Sequence, residues 1–198
     1  MARQGELFGR SPQGQPGPIG ARLPLQAHQL QQWQERLARH QAPLFAKPQA
    51  GSEQASLFAS SDATPEQPAA PFNPLSLQPQ PLSFWRWPAA PQHGAALYFV
   101  ADRPPALGEP LLLYIGETGR ADQRWKGEHD CKAYLAAYGE ALQKANLGCQ
   151  LSIRFWLDVP TAVGPRRALE QALIRLWLPP FNKETRSRWA TPFQADPA

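Results

Sequence analysis

The chain predicts an α/β (α+β) fold confined to its second half, and three observations lead there. Two apolar runs of strand length, around Ala96–Val100 and Leu111–Gly116, are separated by a Pro/Gly-rich stretch and read as an antiparallel pair. Beyond them, two segments of helical period flank an alternating run from Leu151 to Val159, giving the order β, β, α, β, α. Residues 1–90, by contrast, hold 13 of the 23 prolines and 14 glutamines but only 12 charged residues. Such a segment buries too little apolar surface to repay its ordering, which predicts a long, largely disordered Pro/Gln-rich arm at 1–90 ahead of one small domain at about 92–192.

Taken in order, the arm carries one helical pattern, residues 25–40, where Leu30, Trp33 and Leu37 make a narrow apolar stripe. Alone, a helix of that length is marginal in water, so it is expected either to dock on something or to fray. The first strand begins near Ala95, and residues 102–110 form the connection to its partner. A helix is expected to open near Asp122 and to run, with a break at Gly127, through Tyr134, Leu135, Tyr138 and Leu142 to Gly148. Leu151, Ile153, Phe155, Leu157 and Val159 then have the period of a third strand buried on one face. The last helix carries Leu169, Leu173, Leu176 and Trp177 on one side, and Pro179-Pro180 stops it.

Charge and cysteine content narrow the function classes. The net charge of +4 is compatible with nucleic acid, and its placement says more than its sum. Arg120, Arg124, Lys126 and Lys132 surround the expected first helix of the domain, and Lys183, Arg186 and Arg188 follow the last one. These clusters read either as flanks of a phosphate track or as solvated faces. Cys131 and Cys149 are the only cysteines and are expected to be reduced; with His129 they make three zinc-ligand candidates at irregular spacing. The amino terminus lacks a basic segment followed by an apolar one, and no stretch reaches membrane-spanning length, which predicts a cytoplasmic protein.

The set Ala96-Leu97-Tyr98, Tyr114-Ile115-Gly116, Arg124, Glu170 and Asn182, in this order and with Arg124 ten residues beyond Tyr114, resembles the active-site signature of the GIY-YIG nuclease family. Read singly, Tyr98 and Tyr114 are ordinary strand aromatics, Glu170 an ion-pair partner of Arg166 and Arg167, and Asn182 a turn residue. The resemblance covers residues 95–184. It implies a small three-stranded antiparallel sheet flanked by helices, and an endonuclease that hydrolyses DNA phosphodiesters with one divalent ion, Mg²⁺ or Mn²⁺, in repair, recombination or defence. Glu170 is then the metal anchor and Arg124, on the first helix, the cationic clamp on phosphate oxygens. Tyr98 and Tyr114 orient or deprotonate the water, His129 or its competitor Lys126 serves as general base or leaving-group contact, and Asn182 braces the site. Two positions depart from the family pattern: Ala96 stands where glycine is usual, and Glu117 where a basic residue is frequent. A non-catalytic nucleic-acid-binding or adaptor module on the same scaffold is the competing class.

A second signal lies in the arm. The chain's three Leu-Phe dipeptides, Leu7-Phe8, Leu44-Phe45 and Leu57-Phe58, each have glutamine three residues before the leucine, at Gln4, Gln41 and Gln54. These strings resemble the peptide by which bacterial repair and replication proteins dock on the DNA polymerase sliding clamp, with the leucine and phenylalanine filling an apolar pocket. The other source of such strings is glutamine-rich composition itself.

Overall fold

Strand β1 (Ala96–Asp102) is buried at every position, because it is the central strand of the sheet and both of its faces are covered. The computed structural model describes residues 26–47, 72–86, 92–126 and 130–193. Within them β1 pairs antiparallel with β2 (Leu111–Thr118) on one side and with β3 (Ser152–Trp156) on the other, giving the order β2-β1-β3. The three-stranded antiparallel sheet flanked by helices is therefore as expected. Its third strand is shorter than the alternation from Leu151 to Val159 predicts, and Leu157 is 47% exposed beyond its end.

The register of β1 and β2 slips between Val100 and Ala101: Val100 faces Tyr114, Ala101 faces Leu112, and Leu113 is the extra residue. A bulge of this kind re-aims the side chains that follow it. Without it, strict alternation would put Tyr114 on the face opposite Leu113. With it, Leu111, Leu113 and Tyr114 share the Tyr98 face, while Leu112 and Ile115 pack with Leu97 and Phe99 on the other.

Helix α2 (Asp130–Lys144) covers the Tyr98 face with Cys131, Leu135, Tyr138 and Leu142, which recur at helical spacing and are buried. Helix α3 (Val163–Trp177) covers the other face with Leu173, Ile174 and Trp177. It ends where Leu178 turns left-handed (φ 47°) and donates its N–H to the Ile174 carbonyl at 2.9 Å, just before Pro179-Pro180. The helix expected from Asp122 begins later. Residues 121–126 are turns instead, held by Ala121 N–H to the Gly94 carbonyl at 2.9 Å and by burial of Trp125 against Tyr98 and Phe84. Gly94 permits this tie because its φ of +77° is open to glycine.

The division at residue 92 is where structure and expectation part. Helix α1 (Ala27–Phe45) runs past residue 40 and is an integral part of the domain: Leu30, Trp33 and Leu37 are at most 1% exposed, and Trp33 packs against Tyr138, Phe181 and Phe193. Complete burial of an aliphatic side chain contributes about 1.5–3 kcal/mol, so tertiary packing holds a helix that is marginal alone. Residues 72–86 belong to the body as well. Phe72 stacks on Trp156 with centroids 4.2 Å apart, Phe84 packs edge-on against Phe155, and Gln80 exchanges two backbone hydrogen bonds of 2.8 Å with Ile153, closing part of the β3 edge. Asn73 Nδ2 donates to the Phe45 carbonyl at 3.1 Å, which brings the two pieces of the expected arm together. Among the described residues no helix is long and apolar enough to cross a membrane.

Candidate functional site

The site grows out of the β1–β2 pairing. Tyr98 sits opposite Gly116, and its ring lies over that glycine so closely that an added Cβ would meet the Tyr98 ring and hydroxyl and stand 2.8 Å from Tyr114 Cε1. The glycine of Tyr-Ile-Gly is thus a seat for the first tyrosine. Tyr114, opposite Val100 and two residues from Gly116 in unbroken register, lies on the same face, and the two rings stack at 5.9 Å and 26°. Arg124 completes the group by donating from Nε to the Tyr98 hydroxyl at 3.3 Å, and the Tyr98 and Tyr114 side chains are themselves hydrogen-bonded.

Arg124 arrives on a turn rather than on the helix the resemblance implies. That turn is anchored at Thr118 Oγ1, which accepts from Arg120 N–H at 3.0 Å, and at the Arg120 carbonyl, which accepts from Arg124 N–H at 3.0 Å. The guanidinium is held charged: burial works against it, but Tyr98, Tyr114 and Glu117 outweigh that cost. The phenols behave differently. Burial pushes Tyr98 well above its ordinary range, with Tyr114 adding to the rise and Arg124 offsetting part of it. Tyr114 is also raised, by burial first. Both are neutral at physiological pH, so they can orient a water through hydrogen bonds but are poorly placed to take its proton.

Glu170 lies on α3 within electrostatic reach of Tyr114, and the Glu117 backbone N–H hydrogen-bonds with its carboxylate. Burial raises its pKa to about 7, and the neighbouring carboxylates of Glu117 and Glu184 add to the rise. Glu117, the departure from the family pattern, is neutralised from within. Its carboxylate accepts from Arg166 Nε at 2.7 Å and from Arg167 Nε at 3.3 Å, and Arg166 is itself tied to the carbonyls of Pro160 and Thr161. Ala96, the other departure, is fully buried at the start of β1.

Asn182 brackets one residue of β2: its Nδ2 donates to the Ile115 carbonyl at 2.7 Å and its Oδ1 accepts from Ile115 N–H at 2.9 Å. A bracing role suits this geometry, since β2 is an edge strand whose outer polar groups need partners. Gln41 does the same one turn away. It accepts from Leu112 N–H at 2.8 Å and donates to the carbonyls of Leu112 and Trp177 at 3.0 and 3.1 Å, while Phe181 N–H takes the Leu113 carbonyl.

That bracket corrects the expectation for the Gln41, Leu44, Phe45 string. Gln41 is 0% exposed and the half-buried Phe45 packs on Trp177 at 4.6 Å, so in this fold the glutamine and phenylalanine of the string are engaged within the domain. The strings at Gln4–Phe8 and Gln54–Phe58, and His129, lie outside the described residues. Cys131 shares the buried cluster of Tyr98, against which Tyr114 packs, whereas Cys149 interacts with Asp102 at the other end of β1, so the two cysteines do not converge. Among the described residues no group of three or more His, Cys, Asp or Glu is placed to hold a metal ion.

Three contributors escape the sequence reading. Gln34 and Gln41 fall on the buried stripe of α1, and a polar residue on an apolar face was the available signal. Nothing in the sequence marks Arg166 as the buried partner of Glu117. No protein-family model, no curated protein and no solved structure matches this chain.

Proposed function

We propose that this chain is a divalent-metal-dependent endonuclease that hydrolyses DNA phosphodiester bonds, in repair, recombination or defence. The observation that carries the reading is the hydrogen-bonded group Arg124, Tyr98, Tyr114 seated over Gly116, with the Glu170 carboxylate beside Tyr114. Arg124 presents a fixed positive charge and further N–H donors to phosphate oxygens. Tyr98 fixes the direction of that guanidinium, and Tyr114, hydrogen-bonded to Tyr98, turns its remaining hydrogen-bonding capacity to the attacking water.

The donor set suits Mg²⁺ or Mn²⁺, since Mg²⁺ keeps most of its shell as water and takes one or two carboxylates. Glu170 would hold it, because a cation there would offset both the burial cost of its charge and the repulsion from Glu117 and Glu184. When bound, such an ion supplies charge neutralisation at the scissile phosphate and lowers the pKa of water. Recruitment to a sliding clamp now rests on Gln4–Phe8 and Gln54–Phe58 alone; a peptide of residues 50–63 that shows no binding to the host clamp in calorimetry removes it.

The experiment is nicking of supercoiled plasmid by the full chain with Mg²⁺ or Mn²⁺. Cleavage is expected for the wild type, none for Glu170→Gln, and a loss of several tenfold, on the scale of one charge-assisted phosphate contact, for Arg124→Lys with the fold intact. Cleavage retained by folded Glu170→Gln refutes the assignment.

A further inference from the structure

We infer that Arg186, laid on the ring of Tyr134, is a second phosphate-binding position for DNA beside the site built on Arg124. Three observations place it there. The Arg186 guanidinium carbon stands 3.9 Å from the Tyr134 ring centroid, a cation–π seat whose other partner is Phe181, stacked on Tyr134 at 5.8 Å and 27°. Arg186 N–H donates to the Asn182 carbonyl at 3.0 Å, and Asn182 brackets Ile115, the neighbour of Tyr114. Tyr134, for its part, stands one helical turn from Cys131 and packs, as Tyr114 does, against the buried cluster that holds Cys131 and Tyr98. Backbone and ring contacts thus tie Arg186 to the same strand that carries the proposed chemistry.

The charge state of this arginine separates it from its buried neighbour. Arg166 is consumed by Glu117 and two carbonyls, whereas among the described residues no carboxylate lies within ion-pair distance of Arg186, and its Nε is buried without a hydrogen-bond partner. A guanidinium held flat on a ring has lost little of its freedom to bind and keeps its donors in one plane, the arrangement that matches a phosphate. The exposed side chains of Lys183 and Arg188 on the same segment add positive potential around it. The neutral alternative is that the ring contact serves packing only.

The inference rests on the DNA reading above, and its test is chosen to fail separately from it. Binding of a fluorescein-labelled DNA duplex to the full chain is measured without divalent metal, over a range of salt concentrations, alongside thermal unfolding. Arg186→Gln is expected to weaken binding on the order of tenfold at low salt and to reduce the slope of log K against log[salt] by about one, the value of one phosphate contact. Arg186→Lys should keep the slope and lose less affinity. If Arg186→Gln unfolds, Tyr134→Leu removes the platform while retaining the charge, and should weaken binding with an unchanged slope. Unchanged affinity and slope with a lowered Tm in either variant would make the contact a packing element and overturn the inference, as would a wild type that does not bind duplex. Plasmid cleavage by the wild type with unaltered binding by Arg186→Gln refutes this inference alone. Altered binding by that variant, with no cleavage by the wild type under any metal, refutes only the nuclease reading.

Discussion

Replacing Gln41 by alanine tests whether the first helix is part of the domain. The side chain makes three hydrogen bonds at 0% exposure, to Leu112 N–H and to the carbonyls of Leu112 and Trp177. Truncation leaves one donor and two acceptors buried without partners, in a site where alanine admits no obvious substitute. At about 1 kcal/mol or more for each stranded group, the loss is about 3–5 kcal/mol. For a domain of this size that corresponds to a fall in Tm of roughly 10 °C. Differential scanning calorimetry of the full chain measures it, with exposed Gln32→Ala on the same helix as a control expected to stay within about 0.5 kcal/mol of wild type. By the same reasoning, a fragment beginning at residue 90 should not unfold cooperatively, because it lacks Leu30, Trp33, Leu37 and Gln41. A Gln41→Ala variant melting within 2–3 °C of wild type, on the order of 1 kcal/mol or less, would refute the strand-bracketing argument, and a cooperatively folded fragment would restore the boundary near residue 92.

Gly116→Ala should destabilise by about 1–3 kcal/mol, the usual range for overpacking, because the Tyr98 ring that blocks the new methyl is itself fully buried; chemical denaturation with an unchanged m-value would report it. Glu170→Gln should stabilise the metal-free fold at pH 8. The folded-state pKa of about 7 lies above the ordinary 4.5, so this group's stabilisation is present below about 4.5 and lost as the pH rises through 7. Glutamine still accepts the Glu117 N–H, and at this half-buried position the gain should be about 1 kcal/mol after solvent screening. Tm measured at pH 4 and 8 should show the gain at pH 8 only, and millimolar Mg²⁺ should raise the wild-type Tm at pH 8 but not that of the variant; equal responses would sink the role of Glu170.

The strands were legible because residues 96–102 and 111–118 are apolar at both parities, as strands covered on both faces must be. The third helix was legible from its stripe and the two prolines behind it. The bulge was not. Nothing in Leu111-Leu112-Leu113-Tyr114 says which leucine is the extra one, since all three are equally at home in a core, yet that choice decides which of them pack on the Tyr98 face and which on the other. Docking of α1 was one of two outcomes open to a marginal helix, but its partner was hidden for a related reason: the stripe is narrow, and the two glutamines that complete it look like solvent-facing residues until a strand edge and the Tyr138 hydroxyl are placed opposite them. The turn at 121–126 shows tertiary contacts prevailing over local propensity, since burial of Trp125 and the tie to Gly94 are formed only in the assembled fold.

The outer edge of β2 is where fold and proposed chemistry become one problem. An edge strand exposes unpaired backbone groups, and this chain closes that edge with single side chains and one backbone N–H rather than with a fourth strand: Gln41 at Leu112, Phe181 at Leu113, Asn182 at Ile115 and the Glu170 carboxylate at Glu117. The first three answers use neutral groups. Only the last uses a titratable one, and it is placed where Glu117 and Glu184 make its charge costly. A neutral amide would close the edge at lower cost, as Asn182 and Gln41 do, so the structural requirement alone does not account for glutamate at position 170. What a carboxylate adds over an amide is negative charge and acceptor capacity beyond the one N–H it binds. Held by a strand and a helix rather than by a loop, that capacity has the rigidity a reacting centre needs. Arg124, on a short turn tied at Gly94 and Thr118 and directed by Tyr98, is the cation that the proposed site holds ready for a phosphate.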